Sequence, residues 1–102
     1  MSPDPMPERT LQVRYFAAAR AAAGHLAEEA VVVPDRIDAL TREQLVVLLV
    51  SLHPDPPAGE PALQQVLDRS SVLVDGVVLQ DDDAPAVRAG MRVDVLPPFA
   101  GG

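Results

Sequence analysis

The feature of this sequence that most constrains its fold is one capped helix placed between two sets of short strand patterns. Thr41 and Gln44, three residues apart, form a capping-box pattern that starts a helix. Apolar residues follow at helical spacing: Leu45, Leu48, Leu49 and Leu52. His53-Pro54 ends the predicted helix, because a residue before proline disfavours helical backbone. Two strand patterns before this helix and three after it predict a mixed sheet with the helix packed across one face, an α+β fold.

The predicted strands are short, and the first and the last alternate between apolar and polar residues. They lie at 11–16, 28–33, 72–74, 77–79 and 92–96. Asp75-Gly76, between the third and fourth strands, predicts a two-residue hairpin of type I′. We expect the first and last strands to pair in the middle of the sheet, so that the C-terminal tail leaves from one edge of the body.

The core is predicted to be aliphatic, because only three residues of the chain are aromatic. Leu11, Val13 and Tyr15 share one face of the first strand. We expect four residues from different elements to be buried together: Val13, Leu48, Val74 and Val95.

Two short helices complete the predicted elements. One is alanine-rich, follows Phe16 and ends at Gly24, a common C-terminal stop. The other spans 61–67, with Pro61 in the first turn, where its missing N–H costs nothing.

The chain divides into three parts by composition. Residues 1–9 carry three prolines and no apolar periodicity, so we expect a disordered leader. The length suits one domain, predicted at 10–96. Residues 97–102 form a predicted flexible tail.

Composition excludes several function classes. The chain has no cysteine, so it forms no disulfide, thiolate nucleophile or cysteine metal site. Its net charge of −7 argues against nucleic acid, because phosphate binding needs clustered basic residues. The acidic surface would suit a partner that is basic around its docking site, or would simply favour solubility.

No apolar run is long enough to cross a bilayer, and we expect a cytoplasmic protein that binds no membrane. All eight basic residues are arginine. This lysine-free composition, rich in alanine, valine, arginine and proline, is typical of a GC-rich bacterial genome. Without lysine, the chain also cannot form side-chain isopeptide links to copies of itself.

No set of side chains forms a self-contained catalytic or metal site. We interpret Asp81-Asp82-Asp83 as an exposed loop, since it lacks the alternating spacing of a calcium site. His25 and His53 lie far apart in sequence and are interpreted as helix-end or loop residues. We therefore expect any reaction of this chain to require a partner protein.

The C-terminal segment is the strongest functional signal. Gly101 and Gly102 lack Cβ atoms and so can pass in extended form through a narrow channel. Pro97-Pro98 favours a stiff, extended arm in front of them. Frayed chain or a tag remnant is the alternative interpretation. The segment indicates an arm that delivers the α-carboxylate of Gly102 to another protein.

Several motifs together resemble one family. They are Val13-Arg14-Tyr15-Phe16-Ala17 with the following Arg20 to Gly24, the hairpin Val74-Asp75-Gly76, Gly90 before the last strand, and Pro97-Pro98-Phe99-Ala100-Gly101-Gly102. The chain resembles the MoaD/ThiS-type ubiquitin-like sulfur carriers over roughly residues 10–102, and is most similar to the small subunit of molybdopterin synthase. The resemblance implies a β-grasp fold.

The resemblance also implies a mechanism. An E1-like adenylating enzyme would use ATP to activate the carboxylate of Gly102, and a sulfur donor enzyme would convert it to a thiocarboxylate. Gly101 and Ala100 would thread a channel in the molybdopterin synthase large subunit, while Phe99 with Pro97 and Pro98 would anchor the arm. Two carriers and two large subunits would form a heterotetramer, in which this chain is a non-autonomous subunit without a bound cofactor or metal.

Other interpretations stay open. The chain could carry sulfur for thiamine thiazole or cysteine synthesis, act as a ubiquitin-like protein modifier, or be an unrelated interaction module. Three features depart from the family pattern: Asp75 where Asn is frequent, Met91 where an acidic residue is common, and a proline-rich loop at 54–61. None lies in the tail, so they bear on the choice of partner.

Overall fold

The computed structural model describes residues 9–80 and 85–98. Within them, the strands are β1 (Thr10–Tyr15), β2 (Glu28–Val32), β3 (Ser71–Val74), β4 (Val77–Val78) and β5 (Arg92–Leu96). The helices are α1 (Ala17–Ala22), α2 (Arg42–Leu52) and α3 (Leu63–Leu67). The predicted loop at Asp81-Asp82-Asp83 lies outside the described residues.

The strands form one mixed sheet in the order β2-β1-β5-β3-β4. The two central strands, β1 and β5, are parallel, with Gln12 opposite Arg92 and Tyr15 opposite Val95. The other neighbours are antiparallel. The predicted α+β class and the central pairing of the first and last strands are confirmed.

The core lies between one face of the sheet and the helices. Its side chains are almost all aliphatic and include Leu11, Val13, Tyr15, Leu45, Leu49, Leu63, Leu67, Val72, Val93 and Val95. The expectation for Leu48 was wrong, since this side chain is only partly buried against the core. The α2 residues that are buried are Leu45, Val46 and Leu49. An unbroken apolar run does not reveal which side of a helix turns inward, and this explains the error.

Two local sequence signals form as predicted. The Thr41 hydroxyl accepts the Gln44 N–H at 3.1 Å, and the Gln44 side chain accepts the Thr41 N–H at 2.9 Å, completing the capping box. In the β3–β4 hairpin, Asp75 and Gly76 have φ angles of 50° and 84°. Both residues therefore adopt the left-handed backbone that a type I′ turn requires.

The start of α3 differs from the prediction. The helix begins at Leu63, with Ala62 as its N-terminal cap in extended conformation, so Pro61 lies before the cap. The Ala62 carbonyl accepts the N–H groups of Gln65 and Val66, at 3.0 and 3.2 Å, and these bonds fix the first turn. A helix without a side-chain cap has no sequence signal that marks its first residue.

The N-terminal end of the described chain is held by Arg9, which the sequence analysis placed in the leader. Its carbonyl accepts the Val33 N–H at 2.6 Å, extending the pairing of β1 and β2. Its guanidinium donates to main-chain carbonyls of the loop after β2. No helix among the described residues has the length and hydrophobicity to span a bilayer.

Candidate functional site

The structure describes only the base of the predicted arm. Of the six residues assigned to it, Pro97 is half-buried and Pro98 is exposed. The other four, Phe99, Ala100, Gly101 and Gly102, lie outside the described residues. The roles assigned to these four residues stay predictions.

The predicted arm begins after β5, a strand that is hydrogen-bonded to a neighbour on each side. β5 pairs with β1 on one side and with β3 on the other, where Ser71 lies opposite Leu96. The carbonyl of Val95 also accepts the Phe16 N–H at 3.2 Å. Pro97 and Pro98 have no N–H to donate, so they cannot extend the hydrogen-bonded ladder. The backbone is therefore fixed up to Leu96 and leaves the sheet after it.

A groove of about 480 Å³ lies beside the base of the arm. Pro97 and Pro98 form one side of it, and Ala18 of α1 with Pro61 and Val66 around α3 line the rest. The exposed residues Asp68 and Arg69 also line this groove. The base of the arm thus lies next to a concave surface that is apolar along its walls and carries both signs of charge.

The sheet face that the helices leave uncovered carries a charged pair at its centre. Arg14 and Asp94 are register partners on β1 and β5. The Arg14 Nε and Nη2 atoms donate to the two carboxylate oxygens of Asp94 at 2.7 and 3.1 Å. The hydrogen bonds that Arg14 donates to Asp94, together with the negative charge of Asp94, raise the pKa of Arg14. The guanidinium also lies 5.5 Å from the ring centre of Phe16. We refer to this uncovered side of the sheet as the open face.

The end of the open face near the arm is apolar. Leu73 lies opposite Asp94 and Val78 lies opposite Leu73, so both share that face with the charged pair. Leu96 is two residues after Asp94 and points to the same side. Leu73 and Leu96 are half-buried, whereas Val78 is half-exposed. An apolar patch therefore adjoins the point where the arm leaves the sheet.

Sequence reasoning missed a polar cluster at the end of α2. The Tyr15 hydroxyl donates to Glu29 Oε2 at 2.7 Å, and His53 Nε2 lies 2.6 Å from the same oxygen. The rings of Tyr15 and His53 meet edge to face at 5.8 Å. Burial, followed by the hydrogen bond and negative charge of Glu29, raises the pKa of Tyr15 well above its usual range. The cluster joins β1, β2 and α2, which is a structural role.

The two histidines occupy the positions that the sequence suggested. His53 is the C-terminal cap residue of α2, and His25 follows α1 with a φ of 65°. Within residues 9–80 and 85–98, no three His, Cys, Asp or Glu side chains are grouped as a metal ion would require.

Comparison with known proteins gives structural matches only. No protein-family model matches the chain, and no curated protein matches it in sequence. The crystal structure of SAMP1 from Haloferax volcanii matches with a TM-score of 0.62 and 25% identity, over 91% of this chain and 99% of that one. The solution structure of the H. volcanii HVO 2177 protein matches with a TM-score of 0.62 and 26% identity, over 100% and 94%.

A third solved structure is the Pyrococcus furiosus protein described as "putative molybdopterin converting factor, subunit 1". It matches with a TM-score of 0.63 and 23% identity, over 88% of this chain and 98% of that one. At that identity the match supports the fold alone. Together these structures confirm the β-grasp, ubiquitin-like fold that the resemblance implied. The source organisms are archaeal, so the bacterial origin suggested by composition stays a prediction.

Proposed function

We propose that this chain, whose fold is that of the MoaD/ThiS-like ubiquitin-like proteins, is a sulfur carrier that acts as the small subunit of molybdopterin synthase. The observation that carries the proposal is the position of β5. This central strand is held on both sides and leads through Pro97-Pro98 into the Gly-Gly segment. The proposal takes the carboxylate of Gly102 as the reacting group.

The chemistry follows from the weakness of a carboxylate as an acyl electrophile. In an E1-like enzyme, an oxygen of the Gly102 carboxylate would attack the α-phosphate of ATP, and pyrophosphate would leave. Sulfur at the oxidation level of sulfide, HS⁻ from the donor, would then attack the acyl carbon, and AMP would leave with its electron pair. The product is a thiocarboxylate. Because sulfur is held on the main-chain end, the lack of cysteine is consistent with this role.

The surfaces around the base of the arm suit docking to such partners. A partner that receives the arm must contact the body where the arm begins. There the chain presents the apolar patch of Leu73, Val78 and Leu96 on one side and the groove beside Pro97-Pro98 on the other. Apolar patches next to polar groups are common at protein interfaces. We infer that the E1-like enzyme and the large subunit contact the patch in turn.

Intact-mass measurement tests the first half of the proposal. The carrier is incubated with its activating enzyme, ATP and a sulfur donor, and should gain the mass of one oxygen-to-sulfur exchange. The same mass also establishes that Gly102 is the last residue. A variant without Gly102 and a reaction without ATP serve as controls and should show no gain. Thiolation of the shortened variant would refute the assignment of Gly102.

A second candidate function is that of a ubiquitin-like protein modifier. The support is that a further H. volcanii match, with 23% identity and a TM-score of 0.61, is described as small archaeal modifier protein 1. In this case Gly102 would form amide bonds with lysines of other proteins. Tagged carrier expressed in cells would then give larger conjugates that disappear when Gly102 is deleted.

A third candidate is sulfur carriage for thiamine thiazole or cysteine synthesis, since the C-terminal sequences of these carriers resemble one another. Co-purification separates it from the first candidate. A molybdopterin synthase large subunit should be recovered with this chain under the proposal, whereas a thiazole or cysteine pathway enzyme would be recovered under the alternative.

A further inference from the structure

The outer side of β2 is an unpaired sheet edge. β2 is the end strand of the sheet, and no other strand in residues 9–80 and 85–98 pairs with its outer side. Proteins commonly protect such an edge with proline, lysine, a bulge or a very short strand. β2 has none of these, because its five residues pair in continuous register with β1. The strand at the opposite edge, β4, has only two residues. Of the two edges, β2 therefore offers the longer template for an added strand.

The hydrogen bonds at the two ends of the β1–β2 pair show which groups of β2 point outward. The Tyr15 N–H donates to the Ala27 carbonyl at 2.9 Å, and the Val33 N–H donates to the Arg9 carbonyl at 2.6 Å. The direction of these groups alternates along a strand, so the odd-numbered residues from 27 to 33 face β1. Three residues therefore have N–H and C=O groups that point away from the sheet: Glu28, Ala30 and Val32.

Apolar side chains are exposed on both sides of this edge. Val32 is 58% exposed, and its side chain lies on the open face. On the side that the helices cover, Val47 and Leu52 of α2 are 62% and 47% exposed. Val47 lines a groove between α2 and the segment that follows β2. Leu52 precedes His53, whose Nε2 atom is 2.6 Å from the carboxylate of Glu29 on β2. A partner that has its own sheet and helix would cover these side chains as well as the backbone groups.

We propose that a second copy of this chain pairs its own β2 with this edge, antiparallel and related by a twofold axis at Ala30. Ala30 then lies opposite Ala30 of the second copy, and Glu28 lies opposite Val32 of the second copy. Each of these residue pairs exchanges two main-chain hydrogen bonds, as closely spaced antiparallel pairs do. A register shifted by two residues in either direction would leave some of the outward groups unpaired. A twofold interface of this kind is the commonest way in which identical chains associate.

The charges at this edge are compatible with an identical partner. Glu28 is the only charged residue of the three, and the register places the two Glu28 side chains at opposite ends of the paired segment. Within its own chain, the Glu28 carboxylate accepts the Gln12 side-chain N–H at 2.7 Å and lies opposite Arg14 in the register of β1 and β2. Ala30, at the axis, has no long side chain that would prevent close approach. Like charges therefore do not oppose the pairing.

The dimer would leave the proposed docking surfaces accessible. The apolar patch lies on β3, β4 and β5, toward the other edge of the sheet. The arm follows β5, which runs parallel to β1, so the twofold axis places the two arms at opposite ends of the joint sheet. The interface covers little more than two strand edges and their neighbouring side chains, so we expect a dissociation constant on the order of 10–100 µM.

Sedimentation and amide hydrogen exchange of the full chain test the proposal. The mass should rise from 10.8 kDa toward twice that value as the concentration rises from about 5 µM to about 1 mM. At high concentration the amides of Glu28, Ala30 and Val32 should become protected from exchange. The amides of Glu29 and Val31, which face β1, should be protected at every concentration. This alternation is specific to an added strand.

Val32→Asp and Val77→Asp are matched variants, because each places a carboxylate at an exposed valine of an edge strand. Val32→Asp puts the new charge opposite Glu28 of the second copy, twice in each dimer, and should raise the dissociation constant at least tenfold. Val77→Asp should change it by less than about twofold. Adding Glu28→Arg to Val32→Asp should restore the dimer, because positions 28 and 32 lie opposite each other only between copies. Circular dichroism checks that each variant is folded.

Three results would overturn the proposal. The first is a chain that stays at 10.8 kDa at the highest concentration. The second is protection of the Glu28, Ala30 and Val32 amides in the monomer at every concentration, because the edge is then covered within one chain. The third is equal weakening of the dimer by Val32→Asp and Val77→Asp, because the contact then lies elsewhere.

Discussion

The burial of Tyr15 predicts that the free energy of unfolding falls at high pH. Tyr15 is the only tyrosine, and the chain has neither lysine nor cysteine. Between about pH 9 and 12, Tyr15 is therefore the one side chain that titrates in the unfolded chain, with a pKa of about 10. In the folded chain its ring is buried and its hydroxyl donates to Glu29 at 2.7 Å, which raises its pKa.

The sign of the effect follows from the proton count. Below the pKa of the unfolded chain, Tyr15 is protonated in both states, and its full contribution to stability is present. Above about pH 10 the unfolded chain loses this proton while the folded chain retains it, so the free energy of unfolding falls by about 1.4 kcal/mol per pH unit. At pH 12 the loss amounts to roughly 2.7 kcal/mol relative to neutral pH.

Tyr15→Phe removes this dependence. At neutral pH the variant should be less stable than wild type by about 1.5 kcal/mol, the low end for a hydrogen bond to a charged group. The low end applies because Glu29 is partly exposed and still contacts His53. Urea unfolding, followed by circular dichroism at a series of pH values, measures the free energy of unfolding of the wild-type chain and of the variant. Tyrosinate absorbance of the wild-type chain should appear together with unfolding. Tyrosinate that forms near pH 10 in a chain still folded would refute the reasoning.

Three further predictions concern the arm, the open face and the main helix. Phe99→Ala should leave the melting temperature nearly unchanged and weaken binding to the large subunit by roughly 2 kcal/mol or more, as measured by calorimetry; a large loss of stability with unchanged binding would contradict the role of an anchor. Leu96→Asp should weaken binding to the large subunit at least tenfold, whereas Val32→Asp, at the far edge of the sheet, should have little effect. Equal losses of affinity would show that the apolar patch is not the docking surface. Thr41→Ala should cost about 1 kcal/mol in urea unfolding through loss of the N-cap, and an unchanged midpoint would show that Gln44 alone holds the first turn.

The elements that the sequence predicted well are those fixed by neighbouring residues. The α2 start depends on Thr41 and Gln44, and the β3–β4 hairpin depends on Asp75-Gly76. Alternation in β1 indicated its buried face because the side-chain period of a strand is two residues. The inward side of α2 was less clear, because apolar residues run on without a polar break.

Contacts between residues distant in sequence were not predictable. Tyr15, Glu29 and His53 meet only because β1, β2 and α2 come together in the fold. Asp75 offers a second example. It was interpreted as a turn residue, yet its carboxylate also accepts the Arg92 N–H at 2.8 Å and ties the hairpin to β5. For the site, sequence indicated the arm, whereas the groove and the apolar patch at its base required the fold.

Sulfur transfer in a single turnover tests the central claim most directly. Thiocarboxylated carrier is mixed with the molybdopterin synthase large subunit and the cyclic pterin phosphate precursor, and both the carrier mass and the pterin product are followed. The account predicts that the carrier returns to the carboxylate mass as sulfur appears in the pterin, and that carrier with an unmodified carboxylate gives no product. A carrier that keeps its thiocarboxylate mass in this mixture while no sulfur appears in the pterin would contradict the account, and amide conjugates to lysines of other proteins, detected in cells, would then favour the modifier.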